Sequence, residues 1–266
     1  MASSTFRVLT LNTLFRPRAR ARLRAIAPEL NESGVDFLCL QEVVYRANVG
    51  LLARSLTDYI SCAYRPFGIW AIGGLVSFAR QKIDDSSFEV FRRRGQWLSI
   101  GAADRLLRKG FLTSRLVVGG HKVAVVNTHL LANYDQDWSP GNRFAIHQAD
   151  ELQQLGRAVA AVPEDVLVIV AGDFNVLATS PMLEQFASQA RLRSVFETMP
   201  APSTYRQPGS DLPDLAIDHI FYRAPAGLVS NVSAAIRLEA PVAFKDGRTG
   251  FASDHVAVEA VFTLDA

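Results

Sequence analysis

Short apolar runs alternate with helical stretches along the whole of this sequence, which narrows the folds open to it. The run at residues 166–171 is continuously apolar, as is typical of a strand covered on both faces. Residues 111–118 and 122–127 predict a hairpin that turns at Gly119 and Gly120. No linker or repeat interrupts this alternation. The pattern predicts an α/β fold of two β-sheets packed face to face and flanked by helices, in one domain spanning residues 1–266.

The same reasoning places the individual elements. Helices are predicted at residues 19–30, 49–56, 142–161 and 182–189, and Pro28 is expected to kink the first of them. Residues 200–213 are expected to form a loop that crosses the surface. Further strands are predicted at residues 6–11, 35–40, 73–78, 217–222 and 257–262, with two more within residues 88–100.

The composition excludes several classes of protein. Hydrophobic residues make up 49% of the chain and charged residues 20%, so it can bury a sizeable core rather than stay disordered. The chain has a net charge of +2, which is less basic than is usual for a dedicated nucleic-acid-binding protein. This charge is compatible with an enzyme that binds a few phosphate groups. Cys39 and Cys62 are too few for a disulfide framework or a thiolate metal site, and Cys39 is predicted to be a small buried hydrophobe.

Hydropathy and the first residues of the sequence bear on cellular location. No apolar run is long enough to cross a bilayer, and residues 1–5 show no basic segment followed by an apolar one. We expect a cytoplasmic monomer. A secreted protein whose leader has been removed is the alternative.

Polar side chains occur where the predicted strands end. Four apolar runs end in a carboxylate, an amide or an imidazole, and a fifth begins just after such residues. Strand ends at one edge of a core are where a scaffold can direct side chains into a pocket. The residues concerned are Asn12, Glu42, His129, Asp173, Asn175, Asp254 and His255.

These residues form a coherent chemical set. The carboxylates and amides offer hard oxygen ligands, which suit Mg²⁺ or Mn²⁺. His129 and His255 can donate to phosphate oxygens or transfer protons near neutral pH. Each motif alone is more often a turn, a cap or a surface charge. Together they indicate attack of water on phosphorus assisted by a cation.

Six segments resemble the signature motifs of the endonuclease/exonuclease/phosphatase superfamily, in the order of that family. The resemblance runs from about residue 6 to residue 262 and implies a four-layer α/β sandwich that cleaves phosphoesters with Mg²⁺. The segments are Leu9-Thr10-Leu11-Asn12-Thr13, Leu40-Gln41-Glu42-Val43, Asn127-Thr128-His129-Leu130, Gly172-Asp173-Phe174-Asn175, Ile217-Asp218-His219-Ile220-Phe221 and Ser253-Asp254-His255.

The resemblance also implies roles. Glu42 would be the principal metal ligand, with Asn12 and Asp254 beside it. His255 would be the general base, with its ring held by Asp218.

On the side of the leaving group, the resemblance leaves one role open. Asp173 and Asn175 would interact with the attacking water and the phosphate. His129 would contact the phosphate or protonate the leaving oxygen, so the acid is either His129 or Asp173.

Local features resemble the neutral sphingomyelinase branch of the superfamily. Lys109-Gly110 precedes the strand that leads to His129, and Arg143 and Gln148 follow it. Lys109 and Arg143 would then bind substrate, although a solvated loop charge is the alternative for Lys109 and a helix-surface role is favoured for Gln148. A phospholipid head group is thus favoured, with a DNA or RNA nuclease as the alternative.

A lipid substrate raises the question of membrane contact. Trp70, and Trp138 near Tyr134, are candidates for a bilayer interface, with packing beneath a loop as the alternative. A series of alternate arginines begins at Arg16 and Arg18, which are candidate contacts at the rim of the pocket. The later members, Arg20, Arg22 and Arg24, are predicted to be solvated because alternate positions spread around a helix.

Overall fold

The computed structural model describes residues 3–16, 18–92, 108–207 and 213–265. The helices are α1 (Ala19–Glu32), α2 (Arg46–Ser55), α3 (Arg143–Ala160) and α4 (Pro181–Ala190). The strands are β1 (Ser4–Asn12), β2 (Phe37–Gln41), β3 (Ser61–Phe67), β4 (Trp70–Ala79), β5 (Ile83–Val90), β6 (Gly110–Val118), β7 (His121–His129), β8 (Leu167–Asp173), β9 (Arg193–Ser194), β10 (Asp218–Arg223), β11 (Val229–Arg237), β12 (Val242–Ala243), β13 (Thr249–Gly250) and β14 (Ala257–Leu264).

Most of the strands form two six-stranded sheets, and β12 and β13 pair separately. One has the order β11-β14-β1-β2-β4-β3, and the other has the order β5-β6-β7-β8-β10-β9. Most neighbours are antiparallel, but β1 pairs with β2 and β7 pairs with β8 in parallel. Parallel neighbours need a crossover connection, which α1 and α3 supply. The carboxyl ends of each parallel pair therefore lie at the same edge of their sheet.

The main core lies between the two sheets and explains why they pack face to face. Phe6 of one sheet and Ile169 of the other are both fully buried there. Burial of a side chain of this size contributes about 1.5–3 kcal/mol. Helices α1 and α2 cover the outer face of the first sheet through residues such as Leu52, and α3 and α4 cover the second through residues such as Phe186. The predicted four-layer sandwich is confirmed.

A polar contact crosses this core close to one edge. Gln41 Nε2 donates to Asn127 Oδ1 at 2.8 Å, and Asn127 Nδ2 donates to the carbonyl oxygen of Leu40 at 3.2 Å. Both side chains are fully buried, so these hydrogen bonds fix how the end of β2 faces the end of β7.

Several predictions about elements need correction. Helix α1 contains Pro28 and ends at Glu32, two residues beyond its predicted end. Strands β3 and β11 were not predicted. Each is an outer strand of its sheet, and all of their residues except Ala63 are half-buried or exposed. Of the two strands expected within residues 88–100, residues 88–90 end β5, and residues 93–100 lie outside the described part of the chain.

Cys39 is fully buried in the core between the sheets, as predicted. Among the described residues, no helix combines the length and the apolar character that a bilayer span requires.

Candidate active site

The polar residues at the strand ends gather around one cleft of about 400 Å³. Asn12 ends β1, and His129 and Asp173 end β7 and β8. Asp218 begins β10 and lies opposite Asp173, because β10 runs antiparallel to β8. Strand pairing thus brings distant parts of the chain together. All seven residues that the strand ends indicated line the cleft: Asn12, Glu42, His129, Asp173, Asn175, Asp254 and His255.

Two glycines allow the backbone to close around this cleft. A Cβ added to Gly172 would lie 2.0 Å from the carbonyl oxygen of Thr128, so a larger residue would push β7 and β8 apart beside the cleft. A Cβ added to Gly110 would lie 1.9 Å from the carbonyl oxygen of Glu89. The small residues after Lys109 and before Asp173 are therefore required by packing.

His255 is paired with a buried carboxylate. Its Nδ1 lies 2.8 Å from Asp218 Oδ2, which leaves Nε2 directed toward Asp173 Oδ2 at 3.9 Å. Burial lowers the pKa of His255, but the negative charges of Asp218, Asp173 and Asp254 outweigh that effect and raise it to about 10. Without a cation these carboxylates favour the charged ring, and Asp218 fixes its orientation with Nε2 toward the cleft.

Asp173 lies between two imidazoles. Its Oδ2 accepts from Asn12 Nδ2 at 2.9 Å, and its Oδ1 accepts from the backbone N–H of Asn175 at 2.9 Å. Burial, with the charge of Asp218, raises the pKa of Asp173 to about 7. His129 Nε2 is 3.4 Å from Asp173 Oδ2, so both rings flank this carboxylate.

Glu42 and Asn12 form the other wall of the cleft. Glu42 Oε1 accepts from Asn12 Nδ2 at 3.2 Å, and Oε2 accepts from the backbone N–H of Phe15. Glu42 has a φ of +62°, a left-handed conformation that costs energy for a residue with a side chain. The fold therefore holds this carboxylate in a defined position.

The oxygen atoms at this wall fit a hard cation. Glu42 is half-buried, and Asp254 also lines the cleft. A second group, Asp173, Asp218 and His255, has potential ligand atoms within 4.8 Å of one another, but all three residues are fully buried. Mg²⁺ keeps several water molecules when it binds to proteins, so the open wall at Glu42 suits it better.

Lys109 and His129 form a buried pair. Lys109 is 6% exposed, and its Nζ lies 2.9 Å from His129 Nε2 and 2.7 Å from the carbonyl oxygen of Leu130. Burial, and then the charges of Lys109 and His255, hold the pKa of His129 well below its ordinary value. His129 is therefore a neutral ring near pH 7, and Lys109 is not the solvated charge given as the alternative.

Asn175 is held by two side chains that donate to its carbonyl oxygen. Gln148 Nε2 donates at 2.7 Å, and Trp138 Nε1 donates at 3.0 Å. Asn175 has a φ of +52°, so its backbone needs this support. The helix-surface role favoured for Gln148 is wrong, since this side chain is fully buried. Trp138 supports the Asn175 loop from within the cleft rather than facing a membrane.

Replacing Gln148 with leucine is expected to destabilise the protein by about 1–3 kcal/mol, the cost of buried groups that lose their partner. It should also lower kcat about tenfold, because Asn175 would lose its fixed position. Thermal unfolding and steady-state kinetics would check both. The matched control is Gln153→Leu, an exposed position on the same helix, which should change neither. Equal behaviour of the two variants would contradict this role for Gln148.

The predicted surface loop at residues 200–213 is also part of the site. Thr204 Oγ1 accepts from the backbone N–H of Asp218 at 3.0 Å, and the ring of Tyr205 lies 4.9 Å from that of His255. Residues 208–212 lie outside the described ranges. The polar sequence of this loop does not predict these contacts, because they depend on a backbone bridge between Tyr205 and His255.

Three further candidates lie outside the cleft or at its rim, namely Arg143, Arg18 and Arg16. Arg143 is 55% exposed and pairs with Asp135 at 3.6 Å, outside the cleft lining. Arg16 lines the cleft, whereas Arg18 lies in the adjoining groove. Arg22 was predicted to be solvated but is buried, and it donates to the carbonyl oxygens of Leu14 and Arg16.

Comparisons with known proteins show the family and the fold of this chain. The model of the Endonuclease/Exonuclease/phosphatase family matches residues 9–255. A Drosophila melanogaster protein named "Putative neutral sphingomyelinase" is 29% identical over 272 residues, which cover 97% of this chain and 60% of that protein. The "Inositol phosphosphingolipids phospholipase C" of Schizosaccharomyces pombe is 28% identical over 163 residues, 58% of this chain and 36% of that protein. The chain thus spans only part of the length of these relatives.

Solved structures share the fold across nearly the whole chain. SmcL superposes with a TM-score of 0.78 at 18% identity, covering 97% of this chain and 99% of SmcL. A mutant of beta toxin from Staphylococcus aureus with bound magnesium ions gives 0.73 at 15% identity, with coverage of 97% and 99%. D. rerio TDP2 complexed with single strand DNA product gives 0.72 at 19% identity, also with coverage of 97% and 99%. At these identities the likeness concerns the fold alone.

Proposed function

Because the chain belongs to the endonuclease/exonuclease/phosphatase family, we propose that it is a divalent-metal-dependent phosphodiesterase acting on a phospholipid head group, in the manner of a sphingomyelinase or phospholipase C. One observation carries the proposal: Glu42, Asp173 and the His255–Asp218 pair meet at one cleft. This set joins oxygen ligands for a hard cation to an imidazole that a buried carboxylate holds in place.

Mg²⁺ is the expected ion, with Mn²⁺ as the alternative. Glu42 would hold it, with Asn12 and Asp254 beside it. When bound, the cation neutralises negative charge that develops on the phosphate oxygens.

His255 acts on the attacking water. A cation beside Asp254 would offset the negative charge that holds a proton on the ring, so that Nε2 of the neutral ring is open. This Nε2 takes a proton while the water oxygen forms a bond to phosphorus, and Asp218 stabilises the resulting imidazolium through Nδ1. Asp173, 3.9 Å from Nε2, orients the water. Asn175 lines the same cleft and orients the phosphate.

The bond from phosphorus to the leaving oxygen breaks on the side of Lys109 and His129. Both carboxyl oxygens of Asp173 already accept hydrogen bonds, Oδ2 from Asn12 Nδ2 and Oδ1 from the backbone N–H of Asn175. His129 Nε2 lies 2.9 Å from Lys109 Nζ, so the ring can take a proton from Lys109 and pass it to the leaving oxygen, which leaves Lys109 neutral. This supports His129, acting with Lys109, as the acid.

A lipid substrate has two supports. Two curated relatives carry names of sphingolipid-cleaving enzymes. The net charge of +2 also lacks the basic excess of a nucleic-acid binder. The nuclease alternative rests on D. rerio TDP2, which shares the fold and was solved with a DNA product.

A substrate panel tests the proposal. With Mg²⁺, we expect the protein to release phosphocholine from sphingomyelin, and we expect excess chelator to abolish the reaction. Inositol phosphosphingolipid, plasmid DNA and single-stranded DNA complete the panel. Nicking of plasmid DNA without hydrolysis of lipid would show that the protein is a nuclease and contradict the proposal. If the protein hydrolyses none of these phosphodiesters, both functions are contradicted.

A further inference from the structure

The tip of the β3–β4 hairpin exposes two large apolar side chains. Phe67 is 60% exposed and Ile69 is 66% exposed, on either side of Gly68. Gly68 has a φ of +55°, and an added Cβ would meet nothing within 4 Å, so the turn projects into open space. Side chains of this size gain free energy when they leave water, which makes the tip suited to an apolar environment.

Arginines surround this tip. The guanidinium of Arg108 lies 5.9 Å from the centre of the Phe67 ring, and Arg46 Nη1 donates to the carbonyl oxygen of Gly68 at 3.0 Å. Next to the tip is a groove of about 570 Å³, which we call the arginine groove. Its lining residues are Phe15, Arg16, Arg18, Ala19, Arg20, Tyr45, Ala47 and Asn48.

Arginine is the main charged residue of this surface, and the exposed Asp246, whose charge acts on Arg18, is paired with Arg248. Residues 14–20, 45–48 and 64–70 contain no aspartate or glutamate. Their arginines are Arg16, Arg18, Arg20, Arg46 and Arg65, and all five are exposed. An apolar tip within a cationic ring matches the interface of an anionic bilayer, where the acyl region takes the apolar groups and the head groups attract arginine.

A row of aromatic rings joins the tip to the cleft. Trp70 stacks on Tyr45 with ring centres 4.8 Å apart, and Tyr45 meets the edge of Phe15 at 5.4 Å. Phe15 lines the cleft, and its backbone N–H donates to Glu42. A lipid whose chains remain in a bilayer beneath the tip could therefore present its head group to the reacting residues.

We infer that the β3–β4 hairpin tip and the arginine groove form a docking surface for an anionic lipid bilayer. This deepens the proposed function and rests on it, because it explains how a lipid phosphodiester reaches the cleft. Trp70, a candidate interface residue from sequence, stacks behind the tip, whereas Phe67 and Ile69 make the contact.

Binding can be measured apart from hydrolysis. Sucrose-loaded vesicles of 30% phosphatidylserine and 70% phosphatidylcholine contain no sphingolipid, so sedimentation reports docking alone. We expect the protein to bind them at low salt, to release as salt rises, and to bind pure phosphatidylcholine more weakly. The double variant Phe67→Ser/Ile69→Ser should bind about tenfold less tightly, since the apolar contact is lost.

Matched variants separate the contributions. Val117→Ser/Met199→Ser removes exposed apolar side chains elsewhere and should bind as the parent does. Arg20→Glu/Arg65→Glu should weaken binding to the anionic vesicles and reduce its salt dependence. All variants should retain the parent's activity toward a small water-soluble phosphodiester.

Three results would overturn the inference. One is failure of the parent protein to sediment with anionic vesicles. Another is full binding by the Phe67→Ser/Ile69→Ser variant. The third is a shift of that variant from dimer to monomer in gel filtration, which would assign the surface to a second copy of the chain. Absence of lipid hydrolysis with intact docking would instead contradict the proposed function.

Discussion

Replacement of His255 by alanine is expected to lower kcat by about 10²–10⁴-fold, the usual contribution of a general acid or base. The variant loses the group that takes the proton from water, and no other imidazole can take its place. His129 Nε2 is occupied by Lys109 at 2.9 Å. The KM should change little, because His255 acts in the transition state more than in binding.

The fold must be controlled, since the change leaves Asp218 buried without its partner at 2.8 Å. His255→Gln can retain a hydrogen bond to that carboxylate and should lose activity to a similar extent while keeping its Tm. His121→Ala, at the opposite end of β7 from His129, is the matched control and should remain active. A well-folded His255→Gln enzyme with activity close to the parent would contradict the role of this base.

The second large effect is expected for Glu42→Gln. The loss of several kcal/mol of charge stabilisation from the cation corresponds to a fall in kcat/KM of about 10³-fold. The amide keeps the size of the side chain and can still accept the hydrogen bond from the backbone N–H of Phe15. The metal-free fold should therefore be intact.

Thermal unfolding gives a readout that does not need turnover. A ligand that binds only the folded state raises stability by about 2.7 kcal/mol at 100 times its Kd. Mg²⁺ should thus raise the Tm of the parent protein and of Asp84→Asn, an exposed control, but not that of Glu42→Gln. A Tm increase with Mg²⁺ that survives in Glu42→Gln would place the cation elsewhere.

The strand ends were predictable because their signal is local. An apolar run that stops at Asn12, His129 or Asp173 can be recognised in sequence. Two crossover helices then force the carboxyl ends of β1 and β2, and of β7 and β8, to one edge of each sheet. The hydrogen bond from Asn12 to Asp173 at 2.9 Å shows that the two edges also meet.

The supporting contacts could not be predicted because they depend on backbone positions. Gln148 and Trp138 both donate to a carbonyl oxygen, that of Asn175, which every residue possesses. Tyr205 reaches His255 through a backbone bridge. Strands β3 and β11 lie at the outer edges of their sheet, where one side lacks a neighbour and the apolar pattern is weak. Such features follow from the assembled fold rather than from the pattern along the chain.

The central claim is that Glu42, Asp173 and His255 surround a single hard cation together with its phosphate. Anomalous diffraction from crystals soaked in Mn²⁺ tests it most directly, because the scattering locates the ion without any assumption about the reaction. The account predicts a strong peak within about 2.2 Å of a Glu42 carboxylate oxygen, the distance expected for such ligands, inside the cleft lined by Asp173 and His255. A fully occupied Mn²⁺ site away from Glu42, with the cleft empty, would contradict it.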